Sequence, residues 1–411
     1  MSFGTRVVIG LVAGLAVGAL LAAANNPAWL QVVPTLEPVG TLWLNALRMT
    51  VIPLIFSMLV TGIVAAAETA ATGRVATRAI TIFLIGLTAA GLLSAVLMPL
   101  FLAAWPVDPQ AAEALRAAAS ASHAEIPQLP PMREWIISLI PVNPIGAAAG
   151  DSVIQVVIFA LFFGFAASKL APETRAPLLA FFDAVTQTMF KIIQWVLWFA
   201  PVGVFALALK VGANGGLHAA GALVQYVLMM CALGIIVTVL AYPVAVVLGR
   251  TRLTTFARAI APAQAVAIST QSSLASLPAM VTGAREQLGI SERVTDITLP
   301  LAVSMFRITS PLFNLGIVIF IAHVSGVPLD FTRMAIGFAL SVLTSFSVAG
   351  LPSQFSLFNT TVPISLGMGV PMELLPLIVA VEVVPDIFRT VGNVTADVAV
   401  TTVVARRSDD A

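Results

Sequence analysis

The chain has 411 residues, of which 59% are hydrophobic and only 9% charged, and its mean hydropathy is +1.02. A soluble domain of that composition would lack the polar surface it needs, so the composition specifies a membrane protein. The net charge of +1 argues neither for nor against a nucleic-acid partner and no basic run interleaved with aromatics supports one, while a single cysteine, Cys231, excludes an internal disulfide framework.

In chain order, the first apolar stretch, 7–24, lacks a cleavage site and is followed by many others, so it reads as a retained span. Further stretches cover 41–66, 79–105, 135–167, 176–209, 219–248, 295–324 and 372–404, which makes eight transmembrane helices in an all-α polytopic fold. The stretch from Trp135 contains Pro141, Pro144, Gly150 and Asp151, and a broken helix is expected there. Arg6, Arg74, Arg78, Lys169, Arg175, Arg250, Arg252, Arg258, Arg406 and Arg407 flank alternate span ends, which predicts cytoplasmic termini in a plasma (inner) membrane. The Ala/Pro-rich connection around Asp108, Glu113 and Glu125 is expected to be a mobile loop on the opposite side.

Two segments are built differently, each as a pair of short apolar arms around a polar tip. Arms 259–268 and 277–284 flank Ser269, Thr270, Gln271, Ser272, Ser273 and Ser276, and arms 334–348 and 357–370 flank the tip 349–354. Such arms are too short for a hydrocarbon core that needs about 20 helical residues, so re-entrant helical hairpins are predicted. Non-helical backbone at that depth is tolerated where it lines a cavity, and helix ends there offer unpaired N–H and C=O groups to solutes. Each hairpin is followed by one full span, which suggests inverted repeats.

The last span carries the most informative pattern. Asp386, Arg389, Asn393 and Asp397 are spaced three, four and four residues apart, which places them on one stripe of one helix. Charged groups in hydrocarbon must face protein or a wet cavity, so the stripe reads as a solute site. Arg389 suits a carboxylate because its planar fork donates two parallel bonds. An internal ion pair between Asp386 and Arg389 that merely holds a buried helix also fits the spacing. Glu382, seven residues before Arg389, reads as a partner that orients the arginine rather than as a direct ligand.

The tip STQSSLASLP (269–278), the second tip AGLPSQ (349–354) and the run DIFRTVGNVTADVAV (386–400) together resemble the glutamate transporter homologues of the dicarboxylate/amino acid:cation symporter family, and NALRMTVIPLIFSMLVTGI (45–63) extends the likeness. The resemblance implies a homotrimer in which a mobile unit moves as an elevator against a rigid scaffold. The scaffold would be 1–78 and 106–211; the mobile unit would be 79–105 and 212–411, with hairpins at about 259–290 and 334–370. It further implies that Asp386 receives a substrate amino group and Arg389 a side-chain carboxylate. Ser272, Ser273, Ser310, Leu351, Thr390 and Asn393 would be further contacts, and Asp397 a cation ligand.

The chain leaves that pattern at Phe306, Arg307, Ile308, Thr309 and Ser310, where the family carries asparagine, methionine, aspartate, glycine and threonine. An acid is lost and a base gained. Hard cations need oxygen donors, best with carboxylates to offset their charge. Arg307 is therefore expected to act as a tethered cation in place of sodium; the rival readings are direct contact with the solute and an ion pair with Asp397 or Glu382. One residual sodium position built from Ala302, Phe306, Asn393 and Asp397 is compatible with the sequence.

The expected activity is secondary transport of an acidic amino acid or a related dicarboxylate, with reduced or absent sodium coupling. Proton-coupled or sodium-coupled symport and an anion-conducting channel are the alternatives. Neither a nucleophile with its base nor a zinc-type spacing is present, so no enzyme is expected and no cofactor beyond a coupling Na+ or H+.

Overall fold

The computed structural model describes residues 3–24, 26, 31–71, 73–119, 137, 139–150, 152–345 and 353–409, and every regular element among them is helical. The first half contains α1 (Phe3–Ala24), α2 (Val32–Arg48), α3 (Val51–Ala71), α4 (Arg74–Ala104), α5 (Pro109–Ala119), α6 (Pro144–Ala149), α7 (Val153–Ala167), α8 (Pro172–Trp198) and α9 (Ala200–Pro243), the last continuing into a π turn, Val244–Leu248. The second half contains α10 (Leu253–Thr270), α11 (Ser273–Thr282), a π turn at Gly283–Gln287, α12 (Glu292–Met305), α13 (Thr309–Ser325), α14 (Phe331–Ser345), α15 (Ser353–Gly367), α16 (Leu375–Val381) and α17 (Val383–Asp409). Among the described residues six helical stretches are long and apolar enough to cross a membrane: Arg6–Ala24, Val32–Thr69, Arg74–Ala104, Pro172–Trp198, Ala220–Leu248 and Glu292–Ser325.

Several boundaries differ from those of the apolar pattern. One apolar stretch ends at 209 and the next begins at 219, yet α9 runs through both and the interruption falls at Phe199. Pro201 lies at the first turn of α9, where its missing N–H costs nothing, and this starts the helix early. Helix is kept through Gly212 by packing on α1. Gly10, Gly14 and Gly18 recur every fourth residue on α1, and a Cβ at each would lie 2.4 Å from Pro201 O, 2.6 Å from Phe205 O and 2.3 Å from Leu209 O. Gly212 answers from α9, where a Cβ would lie 2.3 Å from Leu15 O. Backbone thus meets backbone, the contact through which small residues join helices where water supplies no drive. Gly14→Leu must push the two helices apart and is expected to cost at least the roughly 1–3 kcal/mol of an overpacked core. Thermal unfolding of detergent-purified protein measures this, and an unchanged melting temperature would contradict the packing.

The connection expected to be a mobile loop is helical over Pro109–Ala119. Its alanines favour helix, and Ala111, Ala112 and Leu115 are buried against neighbouring elements. Asp108 Oδ1 accepts from Gln110 N–H at 2.9 Å, and Arg116 Nε donates to Val324 O at 2.7 Å, which satisfies a carbonyl at the end of α13. Glu125 lies outside the described residues. The proline-rich stretch from 135 is broken as its sequence suggests: Asn143 Oδ1 caps α6 by accepting from Ile145 and Gly146 N–H, and α7 starts afresh at Val153.

Both paired-arm segments fold back on themselves, α10 on α11 and α14 on α15. The first tip is tighter than the polar run implied, because Ser269 and Thr270 end α10 and Ser273 already opens α11. The reversal rests on Gln271 in the left-handed region (φ 52°) and on Ser272, whose Oγ accepts from Ala275 N–H at 3.2 Å as an N-cap. The second tip, 346–352, lies outside the described residues. α17 is enclosed by α4, α9, α10, α11, α12 and α13, so a polar stripe on it has protein on its sides.

Candidate solute-binding site

The α17 stripe faces the interior: Asp386, Arg389, Asn393 and Asp397 are each at most 4% exposed. Arg389 Nη2 is paired with Glu382 Oε2 at 3.3 Å, and its guanidinium lies 4.7 Å from the ring centroid of Phe313, a cation–π contact. The Arg389 Nε is buried and has no hydrogen-bond partner among the described residues. Glu382 itself sits at the one-residue interruption between α16 and α17, and its other carboxylate oxygen accepts the hydroxyl of Tyr226, a fully buried residue of α9. Glu382 is thus held from two sides and in turn fixes where the arginine fork lies. Asp386 is one turn before Arg389, and its backbone carbonyl accepts the Thr390 hydroxyl at 2.9 Å.

Opposite the stripe, the chain leaves helix geometry between α12 and α13. Phe306 (φ −100°, ψ 63°) ends α12, and Arg307 and Ile308 lead into α13 at Thr309. Where the family has asparagine, the Phe306 ring is fully buried and stacks on Phe83 at 4.8 Å between centroids. Gly86 makes room for that ring, since a Cβ there would lie 2.7 Å from it. The charges acting on the Arg307 guanidinium are those of Arg389, Asp386 and Asp397.

The oxygens named as a residual sodium position are in unequal states. Both carboxylate oxygens of Asp397 are buried without a hydrogen-bond partner among the described residues. Asn393 Oδ1 already accepts from Thr309 N–H at 3.0 Å and from the Thr309 hydroxyl at 2.9 Å, and Ala302 O accepts from Phe306 N–H at 2.8 Å. Asp397 is therefore the group with unused capacity for a cation.

The first hairpin tip reaches the start of the same helix, where Gln271 Nε2 donates to Val383 O at 3.1 Å. Ser272 is committed to its cap, Ser273 opens α11 beside it, and Leu351 falls outside the described residues. Ser310 Oγ accepts from Asn314 Nδ2 at 3.0 Å, and the same nitrogen donates to Thr360 of α15 at 2.7 Å, which ties the second hairpin to α13.

Tyr226, Phe313, Asn314 and Thr360 were not singled out from the sequence. A signal existed for two of them: Tyr226 is one of only two tyrosines, and Asn314 is an amide four residues beyond Ser310 inside an apolar run. Phe313 and Thr360 carry no such mark, because phenylalanine and threonine are ordinary residues of membrane helices.

The sequence profile of the sodium:dicarboxylate symporter family matches residues 3–407. The chain is similar to the proton/glutamate-aspartate symporter of Escherichia coli (strain K12), with 27% identity over 98% of this chain and 92% of that protein. It is similar to the neutral amino acid transporter B(0) of Oryctolagus cuniculus, with 28% identity over 95% of this chain and 76% of that protein. It is also similar to the C4-dicarboxylate transport protein 2 of Pseudomonas paraeruginosa (strain DSM 24068 / PA7), with 27% identity over 90% of this chain and 84% of that protein. With a match that spans nearly its full length, the chain belongs to the sodium:dicarboxylate symporter family, whose members are membrane transporters and not enzymes.

Proposed function

We propose that this protein is a secondary transporter of an acidic amino acid, such as aspartate or glutamate, or of a related dicarboxylate, and that its sodium coupling is reduced or absent. The observation that carries the reading is Arg389, a guanidinium that is 3% exposed, anchored on one side by Glu382 and beside Asp386. A buried cation so held is poised for a carboxylate, since its remaining donors keep the fork geometry that two carboxylate oxygens match. Asp386 takes the substrate ammonium. Ser272, Ser273, Ser310, Leu351, Thr390 and Asn393 supply neutral contacts.

Arg307 serves as the tethered cation for Asp397, a carboxylate whose oxygens have no hydrogen-bond partner among the described residues. The Phe306–Phe83 stack supports the same reading, because an aromatic pair fills the place of a polar ligand. What coupling remains runs through H+ or through a single Na+ at Asp397 with the carbonyls of Ala302 and Phe306. Titration calorimetry of L-aspartate and succinate on purified protein, with and without sodium and across pH, tests this directly. Binding that needs sodium would overturn it.

The working frame is a homotrimer in the plasma (inner) membrane with eight spans, both termini cytoplasmic, and α10–α11 and α14–α15 as re-entrant hairpins. A scaffold of 1–78 and 106–211 guides a mobile unit of 79–105 and 212–411 that moves as an elevator, and α9 (Ala200–Pro243), which runs across that boundary, must flex when it does. In that frame Arg48 of α2 and Glu373 just before α16, paired at 3.0 Å, lie on opposite sides of the sliding boundary. A partly exposed pair of this kind is worth about 0.2–1 kcal/mol. Arg48→Ala is expected to shift the balance of end states by up to about fivefold, read as distance populations between labels on the two units. An unchanged distribution would mean that the two residues move together.

A further inference from the structure

Thr309 fastens the helix break that carries Arg307 to α17. Thr309 is fully buried at the first position of α13; its N–H donates to Asn393 Oδ1 at 3.0 Å, and its Oγ1 lies 2.9 Å from that oxygen and 3.3 Å from Arg389 O. Gly392 permits the approach, since a Cβ on it would lie 2.9 Å from Thr309 Cγ2. The two ends of an amide side chain are chemically unlike. A backbone N–H can only donate, so the oxygen of Asn393 must face Thr309 and its NH2 group must face the other way.

We infer that Thr309 is a positioning residue: by engaging Asn393 Oδ1 twice, it turns the Asn393 NH2 donors toward the solute pocket and withdraws the same oxygen from any cation. One contact thus has two consequences, favouring an anionic solute and disfavouring a metal ion at the same spot. The inference rests on the reading of Asn393 as a solute contact. It also explains why a bulkier residue than glycine is accommodated here. The threonine hydroxyl and N–H organise the break against α17, a task that a bound ion would otherwise perform by drawing both chains to itself.

The test uses the full chain in proteoliposomes with radiolabelled L-aspartate. Thr309→Val keeps size and N–H but removes the hydroxyl, and loss of one net hydrogen bond predicts a half-saturation concentration raised by about 3- to 10-fold with the maximal rate little changed. Thr309→Ser returns the hydroxyl and is expected to bring the value back. In an Asn393→Ala background, Thr309→Val is expected to add nothing, because the residue acts through that side chain. A half-saturation value unmoved by Thr309→Val, or moved equally in the Asn393→Ala background, overturns the inference. Should Thr309→Val not assemble, Asn393→Asp serves instead: it keeps the acceptor and removes the donors, and undiminished affinity would overturn the inference. Arg389→Ala separates the two levels. If it leaves uptake intact, the pocket reading and the inference fall together; if it abolishes uptake while the Thr309 variants are silent, only the inference falls.

Discussion

Arg389→Ala is expected to abolish uptake of acidic substrates by the reconstituted protein. Removing one partner of a desolvated, hydrogen-bonded charge pair costs about 2–5 kcal/mol, which is roughly 30-fold to several thousand-fold in affinity. The substitution also strands Glu382, a buried carboxylate left with only the Tyr226 hydroxyl among its described hydrogen-bond partners. An unpaired buried charge destabilises on its own. The double variant Arg389→Ala with Glu382→Gln removes that complication, and it too is expected to be inactive toward aspartate while melting closer to the wild type. Arg389→Lys keeps the charge near Glu382 but not the fork, so an intermediate loss is expected. Wild-type uptake by the double variant would sink the pocket assignment.

Arg307→Met is expected to make substrate binding depend on sodium. With the guanidinium gone, Asp397 is a buried carboxylate with no hydrogen-bond partner among the described residues, and it must take up either a metal ion or a proton. On the tethered-cation proposal, the guanidinium is what disfavours such an ion in the wild type. Two unit charges about 4 Å apart repel by about 4 kcal/mol at an effective dielectric of 20, close to a thousandfold in ion affinity. Affinity for aspartate without sodium should therefore fall in the variant and recover as sodium is added. The combined change Phe306→Asn, Arg307→Met, Ile308→Asp and Thr309→Gly should respond more steeply, because it also removes the aromatic plug against Phe83 and frees Asn393 Oδ1. Equal binding of the Arg307→Met protein in sodium and in a sodium-free buffer would discard the tethered-cation role.

The parts of the site that were readable in the chain are those governed by local periodicity. Asp386, Arg389, Asn393 and Asp397 share a face because a helix repeats every 3.6 residues, and no tertiary contact is needed to know it. The first hairpin tip was readable because a polar run interrupts apolar arms too short to span. Less legible were the places where a helix begins and ends. Phe199 interrupts the chain where hydropathy is high, while α9 continues through Gly212 where glycines argue for a break, since packing on α1 outweighs propensity there. The helix Pro109–Ala119 was missed for the same reason: its alanines carry little hydropathic signal, and what holds them is burial against helices distant in sequence.

The amino-acid sequence by itself determined that this is a polytopic membrane protein and that Asp386, Arg389, Asn393 and Asp397 share one face of the last helix. Those conclusions follow from composition and local spacing, which the order of residues contains in full, whereas altered cation chemistry at Phe306, Arg307 and Ile308 is what the family resemblance implies. Only the tertiary structure decided that Tyr226 shares Glu382 with Arg389, that Phe83 fills the space beside Phe306, and that Thr309 claims the oxygen of Asn393. These contacts, Tyr226 with Glu382, Phe83 with Phe306 and Thr309 with Asn393, join residues between 84 and more than 220 positions apart, and such pairings depend on how helices pack against one another, which no local pattern encodes.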